Sequence, residues 1–321
     1  MVIESNNYRS LGGLVTSDTA GIRVDAYLGS EFPFFSRNAW KRRLEAGEVL
    51  VSGKPVRSRY LLKEGDSIHL FHPIEREPDV DDNIKILYQG RGVICVFKPS
   101  GLPMHEGGPY RKNTFSHVLS TKLGSQWSAV HRLDRETSGI VICCDNPTSR
   151  DAIAQQLSQK KVKKIYSAIA FGVPIQKSWS VDQPIGDLEE SQIRIKKWVN
   201  EDGQRSYTDF VVDDVAGEYC LLRALPKTGR TNQIRIHAAY SGHRLVGDKL
   251  YHPDESIFIE FYELGMNADI EKATGFSRCC LHAAEVEFLH PALGEMVRVQ
   301  SSLPDDMKNL WNRLKSDSVV P

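Results

Sequence analysis

From residue 84 onward, the apolar residues of this chain of 321 arrive in short, strand-length runs and not in long helical stripes. Val93–Phe97, Gly139–Cys144, Tyr166–Phe171, Tyr207–Val212, Tyr219–Leu225 and Glu285–Leu289 are such runs, most of them bounded by turn-forming or charged residues. Helical spacing fits Thr114–Leu123, Ser149–Gln159 and Thr231–Ser241. Many strands, a few helices and no regular strand–helix–strand alternation predict an α+β fold around a mixed or antiparallel sheet. No apolar run approaches the roughly 18 residues a membrane helix needs. The polar stretch Met1–Thr19 lacks the apolar core of a signal peptide and is expected to be a loose tail.

Residues 20–72 read as a separate small unit. Ile22–Glu31 has an amphipathic helical pattern, and Phe32–Phe35, with Pro33, breaks it. Ser36 is placed to cap a second helix, Arg37–Ala46, that Gly47 stops. On that helix Trp40 and Leu44, four apart, should face the core, while Arg37, Lys41, Arg42 and Arg43 make the exposed side basic. Strands are expected at Val49–Ser52, Lys54–Val56, Tyr60–Leu62 and Ser67–Phe71. Pro73–Asn83, with Pro73, Pro78 and three aspartates, reads as a linker to a body running from 84 to 321. Pro253–Ser277 fits no pattern and is expected to be a variable loop or an added helix.

The 41 basic and 41 acidic residues cancel, so attraction to nucleic acid must come from local patches. Residues 20–72 supply one, and Lys160, Lys161, Lys163 and Lys164 another. The six cysteines include no Cys-x-x-Cys pair, which argues against zinc. Cys95, Cys143, Cys144 and Cys220 lie in apolar runs, as buried reduced thiols of a cytoplasmic protein would. No heptad or long apolar stripe appears, so a monomer is expected.

Before the run Ile140–Cys144 stands His131-Arg132-Leu133-Asp134-Arg135-Glu136-Thr137-Ser138-Gly139. Guanidinium neighbours favour the charged form of a carboxylate, and a charged, positioned carboxylate is a possible nucleophile. It is equally the pattern of a salt-bridged aspartate at a strand entrance.

The whole string resembles the signature of the RluA-type RNA pseudouridine synthases. Four further stretches fall in the same family's order: Lys98-Pro99-Ser100-Gly101-Leu102-Pro103, Lys163-Lys164-Ile165-Tyr166-Ser167-Ala168, Thr228-Gly229-Arg230-Thr231-Asn232-Gln233-Ile234-Arg235-Ile236-His237 with Leu245-Val246-Gly247-Asp248, and Leu281-His282-Ala283-Ala284 through Leu303-Pro304. Residues 20–72 are similar to the RNA-binding module of ribosomal small-subunit protein four.

The resemblance implies an isomerase that flips a uridine out of folded RNA and rejoins its base through carbon five, with no metal or organic cofactor. It makes Asp134 the essential carboxylate, acting on the sugar or by another route. It places Tyr166 against the flipped ring, Arg235 beside Asp134, and Arg132 on the RNA. Lys163, Lys164 and Arg230, with Arg37, Lys41 and Arg42 of the small unit, are expected RNA contacts. The partner would be ribosomal RNA in preference to transfer RNA, with no membrane. The family commonly has His where this chain has Asn232. Two rival readings are an RNA-binding assembly factor on the same fold and a carboxylate-based hydrolase, which would need a second acid–base carboxylate.

Overall fold

The computed structural model describes residues 8–32, 35, 37–71 and 77–318. The chain divides into two compact units, residues 1–76 and 77–321.

The first unit holds β1 (Tyr8–Ser10), α1 (Val24–Glu31), α2 (Arg37–Glu45), β2 (Val49–Val51), β3 (Lys54–Pro55) and β4 (Ile68–Phe71), with an antiparallel sheet in the order β1-β4-β2-β3. Trp40 and Leu44 of α2 are buried with Val24 and Leu28 of α1 against Val49, Val51 and Ile68. Two expectations change here. Tyr8–Ser10 lies inside the stretch read as a tail, yet it pairs with β4 and covers that strand's outer edge; Val15 follows it into the core. Tyr60–Leu62 is not a sheet strand, because its main chain bonds to Ile22 and Val24 at the entrance to α1. The expected cap at Ser36 and break at Pro33 lie outside the described residues.

The second unit contains β5 (Lys85–Gly90), β6 (Val93–Lys98), α3 (Phe115–Leu123), β7 (Ser128–Ala129), β8 (Ser138–Cys144), α4 (Pro147–Ser158), β9 (Lys163–Phe171), β10 (Ser178–Asp182), β11 (Ile185–Asp187), β12 (Lys197–Val199), β13 (Tyr207–Ala216), β14 (Tyr219–Pro226), α5 (Gln233–Tyr240), α6 (Ser256–Leu264), α7 (Ala268–Thr274), β15 (Leu281–Leu289), β16 (Met296–Gln300) and α8 (Asp305–Asp317). Ten strands form one sheet along the path β10-β13-β14-β9-β15-β8-β6-β5, with β16 beside β15 and β7 beside β8. All pairs are antiparallel except β15 with β8, so the fold is α+β with a mixed sheet.

That parallel contact needs Gly139. Its φ is +117°, and a Cβ there would stand 2.3 Å from the Ala283 carbonyl oxygen. β8 is fully buried along its length because both faces of the sheet are covered, by Phe115, Leu119 and Leu133 on one side and by Ile153 and Phe288 on the other. Part of the expected linker belongs to this unit: Glu77 accepts hydrogen bonds from the backbone N–H groups of Lys112 and Asn113 at 2.9 and 2.8 Å. The unplaced stretch 253–277 carries two helices, α6 and α7. All six cysteines are buried and unpaired.

Candidate active site

The string 131–137 forms the turn that feeds β8. Thr137 N–H donates to the Asp134 carbonyl at 3.1 Å. Leu133 is buried in the core, and the Ile142 N–H donates to His131 Nε2 at 3.1 Å. The turn 98–101 holds it from the other side. Gly101 N–H and the Lys98 ammonium both donate to the Arg135 carbonyl, at 2.8 and 3.1 Å, and the Ser100 hydroxyl donates to that of Glu136 at 2.6 Å. Lys98 is wholly buried and also donates to the carbonyls of Pro99 and Leu102, at 2.9 and 2.7 Å. Burial pushes its amine down to about 7, while the nearby Asp134 charge pulls upward. The Lys98-Pro99 turn is thus the buttress of the Asp134 loop.

Asp134 opens into a cleft of about 270 Å³. Tyr166 from β9, Arg235 and Asn232 from the start of α5, and Arg132, Lys164, Thr228 and Arg230 line it with Asp134. The sequence-predicted trio Asp134, Tyr166 and Arg235 is therefore brought to one place. Tyr166 is almost wholly buried, and burial reinforced by the Asp134 charge raises its phenol far above the usual range. It is a neutral ring in the cleft wall.

The arginine contacts differ from the expectation. Arg235 Nη1 reaches Asp134 Oδ2 at 3.4 Å, a long single contact. Its Nε and Nη2 donate to the two oxygens of Asp248 at 2.7 Å each. That bidentate fork is the principal pair. Burial opposes the Asp248 charge, but Arg235 outweighs it and holds the carboxyl below its ordinary range. Arg235 is raised well above its own range, because Asp248 overcomes burial. Asn232 Oδ1 accepts from Arg235 Nη1 at 3.0 Å, and its Nδ2 donates to the Tyr251 hydroxyl at 3.2 Å, so Asn232 makes a polar contact on each side. The Tyr251 ring lies under the Arg235 guanidinium at 5.2 Å.

Neither sequence neighbour reaches Asp134. Arg132 is exposed at the cleft rim. Arg135 turns to the Tyr110 hydroxyl at 3.0 Å and to the Phe261 ring at 5.5 Å. Among the described residues, the one side-chain contact of the Asp134 carboxylate is Arg235.

The expected RNA contacts divide. Lys164 lines the cleft and, with Lys163, a second groove of about 390 Å³ that adds Lys160, Lys161, Lys227 and Arg230. Burial lowers the Lys164 amine. In the first unit Arg37, Lys41 and Arg42 are all exposed, and Arg37 also bonds Asp25 at 3.2 Å, which it shares with Arg23.

Sequence reasoning had quoted Asp248 only as part of a string. The signal available was Gly247 before it: φ is +77°, and a Cβ would sit 1.8 Å from the Arg278 carbonyl oxygen. Tyr251, three residues on, had no signal.

The RNA pseudouridylate synthase family profile matches residues 92–240. A protein named ribosomal large subunit pseudouridine synthase C, from Escherichia coli (strain K12), is 30% identical over 315 residues, covering 94% of this chain and 96% of its own length. One named ribosomal large subunit pseudouridine synthase D, from Xanthomonas campestris pv. campestris, is 29% identical over 313 residues, covering 95% and 92%. The solved structure of human RNA pseudouridylate synthase domain containing 1 shares the fold, with a TM-score of 0.56 at 21% identity over 77% of this chain and 99% of that one. The family and the cleft agree: this chain belongs to the RluA-type RNA pseudouridine synthases, isomerases that convert uridine in RNA to pseudouridine.

Proposed function

We propose that the chain isomerises uridines of large-subunit ribosomal RNA, with Asp134 as the essential carboxylate. One observation carries this reading. Among the described residues, Asp134 is the one carboxylate lining the cleft, which it shares with Tyr166, and it has a single long ionic contact, to Arg235. A carboxylate so lightly engaged keeps most of its lone pairs for a substrate. The glycosidase-like alternative lacks its second acid, because Glu136 is directed to Lys249 at 2.9 Å and to the Cys279 N–H at 2.8 Å.

In the reaction the bond from uracil N1 to the ribose C1′ breaks and one from C5 to C1′ forms. The C5 proton is lost and N1 gains one, so the overall change is an isomerisation. Asp134 either adds to the sugar as the base leaves or assists departure by another route. The base must first be extruded from its stack, at a cost of roughly a few kcal/mol. Arg132 at the rim is placed to hold the opened RNA, and the wall ring of Tyr166 to lie against the base. Arg235, fixed by Asp248, orients Asp134. Lys163, Lys164 and Arg230 would take phosphates beside the cleft. Arg37, Lys41 and Arg42 of the first unit would take others.

Pseudouridine maps of total RNA with and without the gene test the target; a lost signal confined to transfer RNA would reassign it. Arg235→Ala should reduce turnover about 100-fold. Turnover equal to wild type would remove Arg235 from its orienting role.

A further inference from the structure

Glu136, two residues after Asp134, points away from the cleft. The Lys249 ammonium donates to both of its oxygens at 2.9 Å, and the Cys279 N–H adds a bond to Oε2 at 2.8 Å. Lys249 is 2% exposed, fixed also by the Ser277 carbonyl at 2.8 Å and capped by the Phe261 ring of α6 at 4.8 Å. The catalytic turn is thereby tied to the stretch after α7, from which β15 departs.

We infer that Glu136 and Lys249 form a positioning pair that sets where the Asp134 carboxylate stands in the cleft, with Phe261 shielding the pair from water. The inference rests on the reading that Asp134 is the reacting carboxylate. The geometry supports positioning in two ways. The turn from Asp134 to Thr137 is short and hydrogen-bonded, so a displaced Glu136 swings Asp134 with it. Misplacement of a reacting group by about 1 Å costs on the order of 100-fold in rate. The ammonium also neutralises a second carboxylate close to Asp134, leaving Asp134 the one net negative charge facing the base.

The test compares Lys249→Met with the double variant Glu136→Gln/Lys249→Met, using full-length protein and ribosomal RNA transcript. Lys249→Met leaves the Glu136 carboxylate only the longer, more exposed ionic contact with Arg135 at 3.5 Å, so its melting temperature should fall. The double variant removes both charges and should recover much of that loss. A positioning role predicts that the single-turnover rate at saturating RNA stays down, by roughly 10-fold or more, in both variants. RNA affinity should stay within about twofold, since neither residue lines the cleft. A merely structural role predicts that rate recovers along with melting temperature, and that result overturns the inference. Amide exchange supplies a readout independent of activity. Residues 134–137 should exchange faster in Lys249→Met than in wild type, while β8 stays protected. Unchanged exchange at 134–137 also overturns the pair. Wild-type protein that forms no pseudouridine would instead sink the functional reading, and the exchange measurement would still decide the pair.

Discussion

Two aspartates share the guanidinium of Arg235, and their surroundings are opposite. Asp248 is wholly buried, takes two bonds of 2.7 Å from Arg235, and receives the Tyr251 N–H at 3.1 Å. The Asp134 side chain is 31% exposed and has one contact of 3.4 Å. Burial makes the first pair strong but costly to break, because either partner alone would be a stranded charge. The second contact is weak because water competes for it. The same arginine therefore commits its directional bonds to being held and offers its remaining field to Asp134, the carboxylate proposed to react. Rigidity and availability are assigned to different residues.

The largest expected effect is on activity alone. Asp134→Asn should abolish measurable turnover, by about 1,000-fold or more. Its melting temperature should shift by no more than about 2 °C, since one half-exposed contact is lost. A variant that unfolds would place Asp134 with the supports and break the comparison.

Asp248→Asn should do the reverse first. It strands a buried guanidinium, and urea denaturation should show a loss of about 3–5 kcal/mol. Turnover should fall as well, because Arg235 loses the fork that aims it. Stability equal to wild type would mean that the buried pair holds nothing.

Acid should act on two buried histidines that brace β8. Burial pushes His282 and His131 down to about 4. Each has a ring nitrogen committed as an acceptor, to the Ser138 hydroxyl at 3.0 Å and the Ile142 N–H at 3.1 Å, and both contacts flank the Asp134 loop along β8. Between pH 4 and an unfolded value near 6.5 the unfolded chain binds more protons than the folded one. Stability therefore falls as pH drops through that window, by up to about 3 kcal/mol for the fully buried His282. Urea midpoints at pH 7, 5.5 and 4.5 should descend in that order, and His282→Asn should flatten the descent.

The parts legible in the sequence were those with local signals. Strand runs such as Gly139–Cys144 are apolar because both faces are covered, so the run itself reports the burial. Asp134, Tyr166 and Arg235 were found through short strings, and the structure gathers them in one cleft. The bidentate partner of Arg235 was not legible, because an aspartate 13 residues away carries no mark of which guanidinium it will face. The buttressing role of Lys98 was not legible for a related reason. A lysine before proline reads as exposed, and its three carbonyl partners exist only once the turn 98–102 and the Asp134 loop have come together. The strand Tyr8–Ser10 was missed because a polar edge strand of three residues has no periodicity to detect.

The smallest expected effect concerns the third acceptor on Arg235. Asn232 stands at φ +56°, immediately before α5, and accepts from Arg235 Nη1 at 3.0 Å. Two properties are combined there: tolerance of the left-handed region and an amide oxygen. Asn232→Ala loses both and should reduce turnover several-fold, with about 1 kcal/mol of stability lost. Asn232→Gly keeps the backbone freedom and loses the amide, both its oxygen toward Arg235 and its Nδ2 donor toward the Tyr251 hydroxyl. If Gly matches Ala in turnover while recovering stability, the amide, through Arg235 and Tyr251, steadies the arginine beside Asp134. If Gly turns over like wild type, Asp248 alone fixes Arg235, and the division between the two aspartates is sharper than the three-acceptor geometry suggests.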